Sequence, residues 1–318
     1  MDPLKDPGPI KLRTEKKMAA SMRISKLIWP NLAKTVNCFH QTRNLSAPAA
    51  NATKQYTLMT QKDGVRRIHL NDPKKRNALS LAMLHSLKND LLKETAGDEE
   101  EVRIIIISGE GPVFCAGHDL KELTSETGRS YHTEIFDACT DVMLLVQDMP
   151  VPVIAQVAGL ATAAGCQLVA SCDIAVVSEK SRFATPGVNV GLFCSTPGVA
   201  LGRAVPRKIA MEMLFTGEPI TAQAALQHGL VSKVVPHEQL EEETQKLAEK
   251  ICQYSSSVIS LGKSCFNSQM GKSRREAYRE AGQVMVDNLS LKDGQEGIGA
   301  FVRKEHPKWS NSFDKAHE

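Results

Sequence analysis

At 318 residues, with 42% hydrophobic and 24% charged side chains, the chain is long for one domain but compatible with one domain plus an appendage. Its formal net charge of +3 does not by itself argue for nucleic acid, and no apolar run reaches the roughly 18–20 residues of a membrane span. Eight scattered cysteines lack a C-x-x-C pair or metal-ligand spacing, which suits buried free thiols in a reducing compartment.

The first 53 residues differ from the rest. Between Lys16 and Lys62 there is no Asp or Glu, whereas Lys17, Arg23, Lys26, Lys34, Arg43 and Lys54 are basic. The segment Met18–Ala33 alternates basic and apolar residues as an amphipathic helix would. This is the composition of a mitochondrial transit peptide, with Met18 as a possible alternative start and removal expected near Arg43–Ser46. A disordered basic tail with no address is the alternative. Residues 1–53 are therefore set apart from a folded domain over 54–318, with a core over about 54–236 and a helical region over about 237–305.

From Tyr56 strands and helices alternate. The run 64–70 (GVRRIHL) reads as a strand, and DPKKRN after it as a loop. Ser80 caps a predicted helix in which Leu84, Leu87 and Leu91 share one face. VRIIIIS (102–108), VPVIAQV (151–157) and CDIAVVS (172–178) read as buried strands, with a helix over 129–147 between the first two. Such a rhythm implies an α/β fold with parallel pairing. After Thr221, which caps another helix, the chain becomes mostly helical: Leu240, Leu247 and Ile251 stripe one helix, and Val258, Leu261 and Cys265 are expected to face inward on another. No internal repeat of fixed period is visible.

Two stretches carry the chemistry: VFCAGHDL (113–120) and AGLATAAGCQLVA (158–170). Each brings small residues and glycine to the end of an apolar run, so that a backbone N–H can face a ligand unobstructed. Two converging N–H groups are what a thioester oxygen needs as it gains negative charge.

Together with NDPKKRNALS (71–80), PVPVIAQV ahead of the second stretch, FATPGVNVGL (183–192) and residues 202–236, these motifs resemble the crotonase, or enoyl-CoA hydratase/isomerase, superfamily over roughly residues 56–305. The resemblance implies a spiral of ββα turns with a helical C-terminal trimerisation region, assembled as a homotrimer or as a hexamer of two trimers. It implies an acyl-CoA ligand or substrate, with no further cofactor and no metal, and a place in fatty acid metabolism in the mitochondrial matrix. The oxyanion-hole amides fall on His118 and Ala164, the latter at a helix start where the dipole assists. Ala116 matches the backbone that grips adenine. Lys75, Arg76 and Lys121 are candidates for the CoA phosphates, with solvated surface charge as the alternative.

The chain departs from the family where hydratases hold their two glutamates: Gln167 and Gly187 stand there instead. An amide accepts no proton at neutral pH and glycine offers no group. The acid that other branches place further along would lie near Ser195, yet no acid occurs between Glu179 and Glu212. Ser195 is read as lining of the acyl pocket, Asp119 as a structural partner of the first loop, and His118 as contributing its backbone, with its ring as a possible acid. Three functions remain: a hydratase-like lyase or base-free decarboxylase, a catalytically silent acyl-CoA binder or regulatory subunit, and RNA binding. Against the last, basic residues of the folded part are mixed with acids, and KSRREAYRE (272–280) alternates sign as a solvated helix face does.

Overall fold

The computed structural model describes residues 54–94 and 101–317. The basic leader, its alternative start and the expected removal point all fall outside the described residues.

In chain order the elements are β1 (Thr57–Lys62), β2 (Val65–Leu70), α1 (Leu81–Leu92), β3 (Ile104–Gly109), β4 (Val113–Cys115), α2 (Gly128–Asp148), β5 (Val153–Val157), β6 (Leu160–Thr162), α3 (Ala164–Ser171), β7 (Ile174–Ser178) and β8 (Arg182–Ala184). There follow α4 (Ser195–Ala204), α5 (Arg207–Thr216), β9 (Ile220–Thr221), α6 (Ala222–Gln227), β10 (Lys233–Val235), α7 (Leu240–Cys252), α8 (Ser256–Gln269), α9 (Arg274–Ser290) and α10 (Lys292–Arg303).

The strands form two sheets. A six-stranded sheet has the order β1-β2-β3-β5-β7-β10, parallel except for the β1–β2 hairpin. A four-stranded sheet has the order β4-β6-β8-β9, parallel except at β8–β9. The pairs β3/β4, β5/β6 and β7/β8 each place their first strand in the large sheet and their second in the small one. This is the ββα spiral that the resemblance implies. Turning so sharply needs glycine: a Cβ on Gly109 would lie 2.5 Å from Phe114 O, and one on Gly159, at φ +76°, only 2.0 Å from Pro112 O.

The central strand β3 is covered on both faces, so it is apolar over 104–107 rather than alternating. Ile104, Ile105, Ile106 and Ile107 of β3 are all fully buried. Ile104 and Ile106 pack with Ile154, Val176 and Leu240 against α7, where Leu247 and Ile251 are partly buried. The predicted stripe of α1 is also met: Met83, Leu84, Leu87 and Leu91 are buried, and the Ser80 hydroxyl accepts from Met83 N at 3.3 Å.

Two points depart from the sequence reading. β1, β8 and the short strands β4 and β6 are not legible as strands in the sequence; the last two lie inside stretches read as loops. On α8, Val258, Leu261 and Cys265 are only half-buried, and the buried residues are Ser257 and Ser260. Polar contacts, rather than an apolar stripe, hold this region. Asp293 accepts from Ser255 Oγ (2.6 Å), Ser310 N (2.7 Å) and Asn311 N (3.0 Å). Burial would raise its carboxyl pKa, but those hydrogen bonds outweigh it and hold the group below its ordinary value. Lys263 of α8 donates to Val146 O, Val151 O and Asp173 Oδ2 at 3.0, 3.0 and 2.6 Å, which ties the helix to the end of α2 and to the large sheet.

Candidate functional site

The site is assembled on the turn 72–80. Asn77, buried and at φ +53°, donates from Nδ2 to Glu110 O (2.9 Å) and Val113 O (2.8 Å) and accepts from Asp72 N (2.8 Å). It thereby clamps the turn to the β3–β4 connection. The turn then holds the first small-residue loop: Ala116 N donates to Arg76 O at 3.0 Å, and Leu79 N to Gly117 O at 2.7 Å. NDPKKRNALS is a backbone template for the loop that follows β4.

The second loop meets the first through glycine. A Cβ on Gly117, at φ +84°, would lie 2.8 Å from Ala163 Cβ and 3.3 Å from Ala164 N, and one on Gly165 would lie 2.4 Å from Cys115 O. Only residues without side chains permit this approach. Ala163 takes φ 49°, ψ −119°, a conformation an L-residue rarely adopts and one that costs about 1–3 kcal/mol. Its N–H is anchored to Ala184 O at 2.9 Å. The bend opens α3 at Ala164. Among the described residues, neither His118 N–H nor Ala164 N–H donates a hydrogen bond.

His118 and Ala164 line a cavity of about 400 Å³ together with Ala116, Gly187 and Ser195. Its lining contains no Asp, Glu, Lys or Arg. The His118 ring packs edge-on to Phe136 with centroids 5.0 Å apart, and its Nδ1 lies 3.2 Å from Leu79 O. A carbonyl partner puts the proton on Nδ1 and leaves Nε2 an acceptor, buried and without a partner. Burial lowers the imidazole pKa, opposed by the bond to Leu79. Burial therefore favours the neutral ring.

The other expected residues divide. Ser195 begins α4 and its hydroxyl bonds only weakly back to Phe193 O (3.4 Å). The Ala116 N–H is committed to Arg76 O, so only its carbonyl remains for a ligand. Arg76 contributes its backbone, and its exposed side chain does not line the cavity. Lys75 and Lys121 lie in an adjoining surface pocket with Asp119, Glu122, Thr127 and Tyr131. Lys75 Nζ is 2.6 Å from Asp119 Oδ2, whose other oxygen accepts from Lys121 N at 3.1 Å. Asp119 therefore has the structural role expected of it. Gln167 is buried on α3 outside the cavity lining, its Oε1 unpartnered. Gly187 lines the cavity, but a Cβ there would lie 2.8 Å from both Cys194 Sγ and Leu192 O. Cys115 and Cys166, beside the two loops, are buried thiols pushed up to about 12 by desolvation.

Sequence reasoning missed the apolar lining: Leu120, Leu123 and Phe136 from one segment of chain, Val190, Leu192 and Phe193 from another. Nothing in their spacing distinguishes them from core residues. They are brought together by the fold.

A chain that winds through ββα turns between two sheets defines the crotonase fold. The enoyl-CoA hydratase/isomerase family model matches residues 60–312, and the chain belongs to that family. It is similar to the mitochondrial enoyl-CoA hydratase domain-containing protein 3 of Rattus norvegicus, with 64% identity over 255 residues, 80% of this chain and 84% of the relative. Among solved structures it is similar to human enoyl Coenzyme A hydratase domain-containing protein 3 (63% identity, TM-score 0.77, covering 80% of this chain and all of that one, 100%). It is also similar to an enoyl-CoA hydratase of Mycobacterium smegmatis (45% identity, TM-score 0.77, covering 80% and 99%).

Proposed function

We propose that this chain binds acyl-CoA thioesters, with the thioester oxygen between the main-chain amides of His118 and Ala164, and that it is a poor hydratase. The observation carrying the reading is the contact between Gly117 and Ala163–Ala164 at the edge of a cavity whose lining has no carboxylate. Preorganised amides in a low-dielectric site stabilise developing negative charge at no reorganisation cost, each worth about 10²–10³ in rate. One positioned acid–base group is worth about 10²–10⁴, and both glutamate positions lack one. Ligand polarisation survives here without the proton transfers of hydration.

The names of the rat and human relatives support a mitochondrial location, and the matrix is the compartment in which such thioesters would be met. Self-assembly as a trimer, or a hexamer of two trimers, would cover the exposed Tyr278, Met285, Val286, Phe301 and Val302 of α9 and α10.

Thermal shift and absorbance test the reading. Butyryl-CoA is expected to raise the melting temperature while butyrate does not, and crotonyl-CoA is expected to keep its enoyl absorbance. Equal shifts from ester and free acid would remove the thioester cradle. Rapid loss of absorbance would remove the second half of the proposal.

A further inference from the structure

We infer that the acyl end of the ligand is an unsubstituted hydrocarbon chain and that acyl-CoAs carrying a second carboxylate are rejected. The inference rests on the acyl-CoA reading above and assigns its substrate class. Five of the six apolar wall residues stand well exposed in the empty cleft: Phe136 37%, Phe193 48%, Leu192 51%, Leu120 53% and Val190 58%. They converge from two separate segments of chain on one cavity of about 400 Å³, a size suited to a small-molecule ligand. An aliphatic chain laid between them removes its own surface and theirs from water.

A carboxylate in the same place would find no cation, only neutral donors such as those of Asn189, Ser195 and Thr196. The ionisable side chains on the lining are His118 and Cys194, and burial moves each toward its neutral form. The nearest cations identified, Lys75 and Lys121, belong to the adjoining surface pocket, where Lys75 is already bound to Asp119. An ion that gives up water for neutral donors among apolar walls, with no cation to pair it, is disfavoured relative to a hydrocarbon there. The same reasoning weighs against decarboxylation of a malonyl-type thioester in this cleft.

Calorimetric titration of the full chain with CoA, butyryl-CoA, hexanoyl-CoA, octanoyl-CoA and adipyl-CoA tests this. Affinity is expected to rise about fourfold per added methylene, the equivalent of ~0.8 kcal/mol, until the cavity is full. Adipyl-CoA, with the same carbon count as hexanoyl-CoA, is expected to bind more than about tenfold more weakly. In Val190→Lys, which places a cation on the wall, the gap should narrow. Adipyl-CoA binding within about tenfold of hexanoyl-CoA would overturn the inference while leaving the acyl-CoA reading intact. An unchanged gap in Val190→Lys would also count against it. If no ester binds more tightly than CoA itself, both fall.

Discussion

The sulfur of Cys194 occupies the ground that a side chain on Gly187 would need: a Cβ there would stand 2.8 Å from it and 2.8 Å from the Leu192 carbonyl oxygen. The position where the resemblance places the second glutamate is therefore closed as well as empty, because Cys194 Sγ and the Leu192 carbonyl fill the space a side chain would take. Gly187→Ala is expected to cost about 1–3 kcal/mol through overpacking, read as a lower melting temperature. Restoring both acids with Gln167→Glu and Gly187→Glu should yield no hydration of crotonyl-CoA above the parent protein. A strong gain in activity would show that this segment yields easily.

Gly117 is the hinge of the ligand cradle. Its φ of +84° and the 2.8 Å approach of a Cβ to Ala163 Cβ both oppose any side chain. Gly117→Ala should push the two loops apart and weaken the butyryl-CoA-induced shift in melting temperature. Loss of one donor's alignment corresponds to about 10²–10³ in transition-state stabilisation, and less in ground-state binding. A full shift in this variant would mean that the amides do not hold the thioester.

Lys263 joins three chain segments through one buried ammonium with 7% side-chain exposure. Lys263→Met keeps the stem but leaves two carbonyls without this donor and the Asp173 carboxylate without its cation, though still bonded by Val153 N–H. Because Asp173 retains 25% side-chain exposure, water offsets part of the loss. Chemical denaturation should show a loss of about 3 kcal/mol, at the lower end for a broken buried pair. A change within about 0.5 kcal/mol would show that water replaces the ammonium fully.

His118 couples the site to pH. Its folded pKa lies below the ordinary imidazole value, while the unfolded chain titrates near about 6.5. As pH falls through that value the unfolded state takes up a proton that the folded state resists, so stability present above it is progressively lost. The melting temperature of the parent protein should fall more between about pH 7.5 and 5.5 than that of His118→Asn, which retains a donor for Leu79 O. Equal falls would mean the ring protonates freely in the fold.

Much of the molecule is legible along the chain because it depends on local physics. The isoleucine run of β3 announces a strand covered on both faces, Ser80 and Thr221 announce helix starts, and the stripe Leu84–Leu87–Leu91 announces a buried helix face. Glycine and alanine at 116–117 and 163–165 announce backbone without bulky side chains, and Gln167 and Gly187 announce missing proton carriers. The ββα repeat stays hidden because its units begin at Ile104, Val153 and Ile174, with the long α2 inserted in the first, so no fixed period exists.

What sequence alone determined is the list of groups available for chemistry: two unobstructed amides, no carboxylate at the hydratase positions, and a family to which both belong. Only tertiary structure decided how those groups are disposed. It buried the His118 ring, which favours its neutral form, bound Lys75 to Asp119, filled the space beside Gly187 with Cys194, and drew Phe136 and Phe193 into the lining of one cleft. Each is a contact between residues far apart in the chain or set by a local bend such as Ala163, and backbone closure, which no short window of residue types encodes, determines it.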